Sequence, residues 1–230
     1  MPTLPPPLDL LPPPLDLLPP LLEGLRVTLR LTLGGIAIGV LCALAGGLGR
    51  RSRLRLVRAL ASVYVETFRG TSALVQLFWF YFALPAVGIR LSAELAGVLV
   101  LGLNAGAYGA EVVRGALGAV PAGQIEAARA LGFTPLETLW RIQLPQAAVA
   151  MLPPAGNLAI ELLKNTSLVS MITLSELTFQ GQVLRASTLR TTEIFTLLLV
   201  LYFVLAQLIR LGVRSLERTL SRGRLRAVAP

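Results

Sequence analysis

The sequence predicts an all-α membrane protein of about five transmembrane helices, with a helix-turn-helix loop on the cytoplasmic side. Three observations predict it. Of 230 residues, 54% are hydrophobic and 14% charged, and the mean hydropathy is +0.72, far from the balance of a soluble domain. Apolar runs near the ~20 residues that a bilayer requires, with a tolerance of ~17–25, recur along the chain. Between the third and fourth of them lies a polar stretch, GQIEAARALGFTPLETLWRIQLPQA (123–147), patterned as two short helices and a turn.

The first 24 residues carry the duplication PPPLDLL at Pro5–Leu11 and Pro12–Leu18. Proline this dense cannot be helical throughout, and with no basic residue it is no signal peptide; it reads as an extended, non-catalytic lead-in. The first span is Leu31–Gly49, uncharged, with the lone Cys42 as a small packing residue. Next, Arg55, Arg58, Ser62, Glu66 and Arg69 share one helical face, with Val57, Leu60, Tyr64 and Phe68 opposite. Arg55 and Arg58 suit a helix in the membrane interface. Glu66 and Arg69, beside the second span, are a candidate gate, or a pair with a purely structural role. The second span is Ala73–Ile89 with Gln76, and the third Leu95–Ala110 with Asn104. The fourth, about Gln146–Leu163, carries a Pro153-Pro154 break; Leu168–Phe179 is too short to cross; the fifth is Ile194–Ile209. The membrane domain therefore covers 25–212, its polar loop about 115–145, and a basic tail follows at 213–230.

Arginine sets the expected orientation. Arg50, Arg51, Arg53, Arg55 and Arg58 follow the first span, Arg114, Arg129 and Arg141 the third, and Arg210, Arg214, Arg218, Arg222, Arg224 and Arg226 the fifth. These segments should face the cytoplasm, leaving the N-terminus outside and the C-terminus inside. The net charge of +9 is then topology and anionic-lipid contact rather than nucleic-acid binding.

Enzymatic constellations are missing. There is no His, the only lysine is Lys164, and no Gly-rich phosphate loop occurs, so the sequence offers no catalytic residue, metal-ligand set or ATP site. The polar loop is better specified. Pro121 opens a first helix, Ala127, Ala128 and Ala130 propagate it, and Gly132 fits the left-handed position that ends it. Thr134 caps the second, with Pro135 at its first position and Glu137 completing a capping box, and this helix should stop before Pro145. Its Leu136, Leu139, Trp140 and Ile142 form an apolar face that must dock. An interfacial helix pair, a DNA-binding motif and a docking element for a cytosolic protein all share this outline, although Arg141 alone is too little base for DNA.

Glu126-Ala127-Ala128, Gly132, then Ile142, Leu144 and Pro145 resemble the EAA loop of the binding-protein-dependent ABC importer permeases. ETFRGTSALVQLFWFY (66–81), AYGAEVVRGALGAVPAGQIEAARALG (107–132) and LKNTSLVSMITLSELT (163–178) resemble the polar amino-acid type, which carries histidine, arginine, glutamine or glutamate. The resemblance covers Leu25 to Leu211. Ser72 stands where that type usually has Pro, and Asn165 where it often has Asp. The resemblance implies a type I-like importer permease in a prokaryotic inner membrane, multi-pass, with its loop as a coupling helix pair. It also implies ATP-binding cassette partners that hold ATP and Mg, a second permease subunit, identical or homologous, and an extracytoplasmic amino-acid-binding protein. No cofactor belongs to this chain, and nucleic acid is not a partner. A membrane scaffold or channel subunit whose hairpin docks another protein is the alternative.

Independently, Asn157, Glu161, Lys164 and Asn165 form a polar stripe beyond the proline pair, costly in a membrane unless paired or wet. Glu161 suits the ammonium of an amino acid; Lys164, Asn165, Thr166 and Ser167 suit its carboxylate. A self-contained Glu161–Lys164 pair is the structural alternative. Gln76 and Asn104 are candidate wall residues or inter-helix hydrogen bonds.

Overall fold

The computed structural model describes residues 15–228, which form helices and turns with no strand among them. Helix α1 spans Leu18–Gly49 and begins on Pro19-Pro20, where missing N–H groups cost nothing. Residues 15–24, expected to be extended, are therefore helical. Their leucines explain it: Leu17 and Leu21 are buried against Leu177, Leu184, Ile194 and Leu198. The second copy of the repeat also seats Asp16 on Arg190 at 2.5 Å. The first copy lies outside the described residues.

Helix α2 is Arg55–Gly70 and α3 is Ala73–Phe78, continued by a wide turn at Trp79–Ala83 and a tight one at Leu84–Val87. The expected second span is thus not one straight helix to Ile89. It ends at Gly88 in the left-handed region, and it meets α2 at 107° to make a bent pair. Thr71 and Ser72 are extended at the corner, which breaks the helix.

Helix α4 is Ala93–Gly118, capped by the Ser92 hydroxyl, which accepts the Leu95 N–H at 3.2 Å. It lies along α1 closely enough that a Cβ at Gly102 would come within 2.7 Å of Ile38 Cβ, and one at Gly106 within 2.6 Å of Cys42 Cβ. Small residues are what permit such an approach between apolar helices. Helices α5 (Ala122–Ala130) and α6 (Pro135–Thr138) form the hairpin, and α7 is Leu144–Asn165. A wide turn at Leu139–Gln143 joins α6 to α7 without a stop, contrary to the end expected before Pro145. The i→i+5 turn lies just ahead of Pro145, whose ring cannot accept regular helix geometry behind it.

Nor do Pro153 and Pro154 break α7: both sit inside a continuous helix that α4 and α9 flank. A turn of 3-10 helix (Thr166–Ile172), α8 (Leu177–Thr188) and α9 (Thr191–Val228) complete the chain, and α9 runs into the basic tail without a boundary at 212. Three helices, Leu15–Gly49, Ala93–Gly118 and Thr191–Leu220, are long and apolar enough to cross a bilayer, and the bent pair α2–α3 makes a fourth candidate. Helix α7, expected as a span, has the length but not the apolarity, because Gln146, Asn157, Glu161 and Lys164 dilute it. The main core gathers Leu31, Leu77, Val100, Leu101, Leu162 and Ile172 from α1, α3, α4, α7 and the 3-10 turn.

Candidate functional site

The hairpin is built by local chemistry. At the end of α5 the Phe133 N–H donates to Ala128 C=O and the Gly132 N–H to Arg129 C=O, both at 3.0 Å, the two bonds of a Schellman ending. That ending needs the left-handed φ of +81° that Gly132 adopts. The Thr134 hydroxyl then accepts the Glu137 N–H, and the Glu137 carboxylate accepts the Thr134 N–H at 2.9 Å, closing the capping box. The Thr134 backbone N–H and hydroxyl hold the Glu137 carboxyl below its ordinary range.

The apolar face splits in two. Leu139 and Leu144 pack on Val113, Leu117 and Ala147, whereas Leu131, Leu136 and Trp140 remain 78%, 64% and 58% exposed. Ala128 is buried, Ile142 and Leu144 are half-buried, and Glu126, Ala127 and Pro145 are exposed beside them. Large exposed side chains on a rigid two-helix element are what a protein-docking surface presents.

The second group of expected residues is brought together in part. Asn104, Glu161 and Asn165 line one pocket between α4 and α7 with Tyr108. At about 10 Å³ it is at most water-sized and too small for an amino acid. Lys164 lies outside it, on an open groove of about 330 Å³ shared with Asn157, Ile160 and Glu161. Glu161 and Lys164 are both exposed, and neither has an ion-pair partner among the described residues, so the self-contained pair does not form.

Thr166 and Ser167 turn their hydroxyls to the carbonyls of Leu163 and Lys164, at 2.7 and 2.8 Å. Thr166 is fully buried. Gln76 fixes the α2–α3 corner, donating to Phe68 C=O at 2.9 Å and Thr71 Oγ1 at 2.7 Å, and Asn104 donates to Gln76 Oε1 at 3.2 Å and to Phe68 C=O at 3.1 Å. The inter-helix bond is thus present. Asn104 also reaches the pocket.

Glu66 and Arg69 do not pair with each other. Glu66 pairs with Arg50 at 3.2 Å and Arg69 with Glu111 at 3.5 Å, while Glu111 also takes Arg50 and, at 2.6 Å, Arg114. The hub is Glu111, one residue beyond the expected end of the third span at Ala110 and short of the expected polar loop at 115–145. Glu111 and Arg114 at i, i+3 were the available signal. Glu176 was missed too: fully buried, it caps α8 through the Thr178 and Phe179 N–H groups and accepts the Tyr202 hydroxyl at 3.0 Å. Nothing in its short apolar run announces that burial.

Membrane-length helices, with a two-helix hairpin between α4 and α7 that leaves Leu131, Leu136 and Trp140 exposed, define a membrane protein with a protein-docking element. The chain belongs to the family of binding-protein-dependent transport system inner membrane components, whose model matches residues 35–222. It is 47% identical to a Sinorhizobium fredii protein named a probable amino-acid ABC transporter permease, y4tF, over 88% of this chain and 87% of that one. It is 37% identical to the glutamine transport system permease protein GlnP of Escherichia coli, over 86% and 91% of the two chains. A crystal structure of an amino acid ABC transporter with histidines superposes with a TM-score of 0.81 at 37% identity, covering 88% of this chain and 94% of that one. An inward-facing MetNI methionine transporter shares the fold, with a TM-score of 0.68 at 24% identity over 91% and 99%.

Proposed function

We propose that the chain is one half of the permease of an ATP-driven importer for a polar or charged amino acid, working by alternating access. The observation that carries it is the outer face of α7. Glu161 and Lys164 are exposed and unpaired there among the described residues, on a groove near the lower end of the ~300–1,000 Å³ range of ligand sites. Charges at membrane depth must meet water, protein or substrate. A second permease subunit facing α7 would turn the groove into an enclosed path, in which Glu161 receives the ammonium and Lys164 the carboxylate. Asn104 and Asn165 would line its wall. The Glu126–Pro145 hairpin seats on an ATP-binding cassette subunit, which supplies ATP and Mg, and an extracytoplasmic binding protein delivers the substrate. The relatives' names support an amino acid as cargo.

Glu161→Gln is expected to lower uptake at least tenfold in proteoliposomes, since a charge-assisted hydrogen bond is worth ~1.5–3 kcal/mol and ~1.4 kcal/mol is tenfold. Assembly and basal ATP hydrolysis should persist. Unchanged affinity and rate would make Glu161 a packing residue and move the site elsewhere.

Orientation is tested separately. We place the N-terminus outside and the C-terminus in the cytoplasm, from the arginine distribution. In a Cys42→Ser background, a cysteine introduced in the first 24 residues should react with a membrane-impermeant thiol reagent in spheroplasts, and one at Arg222 should not. Labelling of both sites, or of the second alone, would reject this topology.

A further inference from the structure

The arginines near the hairpin fall into two populations. Arg50, Arg69 and Arg114 are ion-paired with Glu66 or Glu111. Arg51, Arg53 and Arg129 have no carboxylate partner among the described residues, and all three line one cavity of about 540 Å³. Its walls come from two elements, the turn that follows α1 and the hairpin, with Leu48, Ile125 and Leu139 supplying apolar surface. Like charges gathered on one cavity repel unless an anion sits between them. We propose that this cavity binds the phosphate of an anionic phospholipid.

Position and composition select the occupant. Arg51 and Arg53 lie two and four residues beyond Gly49, where the long apolar helix α1 ends, which puts them at headgroup depth. Guanidinium groups bind phosphate oxygens through paired donors, and basic pockets beside membrane helices recognise anionic headgroups. A free anion would use the arginines and leave the leucines idle; a lipid uses both, phosphate on Arg51, Arg53 and Arg129, and chain against Leu48 and Leu139. The consequence is mechanical. Arg129 belongs to α5 and Arg51 to the turn after α1, so the lipid braces the hairpin against the first membrane helix and stiffens the lever that the hairpin forms. Lipid binding depends on the membrane placement of α1 and not on the transport reading; only its mechanical consequence rests on the coupling role proposed for the hairpin.

The test uses the full chain purified in non-ionic detergent, titrated with dihexanoyl-phosphatidylglycerol, dihexanoyl-phosphatidylcholine or inorganic phosphate, with bound lipid counted by native mass spectrometry. The parent chain should hold phosphatidylglycerol at least tenfold more tightly than the other two probes. Arg129→Gln and the double change Arg51→Gln/Arg53→Gln should each weaken it tenfold or more. Arg129→Lys should restore part of the loss, and Arg58→Gln, on α2 outside the cavity, should change nothing. Thermal unfolding of each variant verifies that the fold survives. Normal phosphatidylglycerol binding by the arginine variants would overturn the proposal, as would equal binding of phosphatidylcholine. Inorganic phosphate binding as tightly as the lipid would reduce the cavity to a free-anion site. If the variants keep the lipid but no longer co-purify with an ATPase subunit, the occupant is an acidic segment of that subunit and the lipid assignment is wrong.

Discussion

Gly132→Val is expected to leave the chain in the membrane at parental levels and to remove substrate-stimulated ATP hydrolysis. Gly132 sits at φ +81° with nothing beyond its own chain neighbours within 4 Å of where a Cβ would lie, so the penalty comes from the backbone rather than from a clash. A left-handed conformation costs an L-residue ~1–2 kcal/mol, more for a branched one, which is about tenfold in the population of the native turn. Escaping that cost re-aims α6, and with it Leu136 and Trp140, away from a docking partner. Asn tolerates the left-handed region, so Gly132→Asn should keep most of the coupling. Glu126→Lys tests the same surface by charge, because Glu126 is exposed on α5 and its reversal would repel a basic partner. Co-purification with the ATPase subunit and transport in proteoliposomes report both. Full coupling in Gly132→Val and Glu126→Lys would reduce the hairpin to an interfacial anchor.

Glu111→Gln should destabilise the fold measurably. It strips the common acceptor from Arg50, Arg69 and Arg114, leaving Arg50 with Glu66 alone and Arg69 and Arg114 with no carboxylate partner among the described residues. The Glu111 side chain is 22% exposed, between the exposed pairs worth ~0–1 kcal/mol and the buried ones whose rupture costs ~3–5, so about 2 kcal/mol is expected. Thermal unfolding in detergent reads the loss directly. Arg50→Gln should cost less by itself, and the double variant less than the sum of the two, because removing Arg50 relieves part of the repulsion that Glu111→Gln creates. Strictly additive effects would mean that the cluster is a set of independent pairs and not a hub.

Local physics made the hairpin legible. Gly132, the Thr134–Glu137 box and Pro135 act over four residues or fewer, and each adopts the conformation its sequence prescribes. Composition and run length likewise determined the helical, membrane-bound class, because apolar length is a property of a segment and not of its neighbours.

Where a residue's fate depends on packing, the sequence alone misled. Leu17 of the second repeat copy and Leu21 just after it are helical and buried because α8 and α9 offer an apolar seat, and Pro153-Pro154 sit inside a continuous helix that packs on α4 and α9. Glu66 and Arg69 are three residues apart, yet their partners are Arg50 and Glu111, since a corner of 107° and the α1–α4 crossing bring other charges nearer. Spacing fixes which side chains share a face. Only the tertiary structure decides what that face meets, because ion pairs and burial respond to distance in space, and the helices that supply Glu111 and Tyr202 lie tens of residues away along the chain.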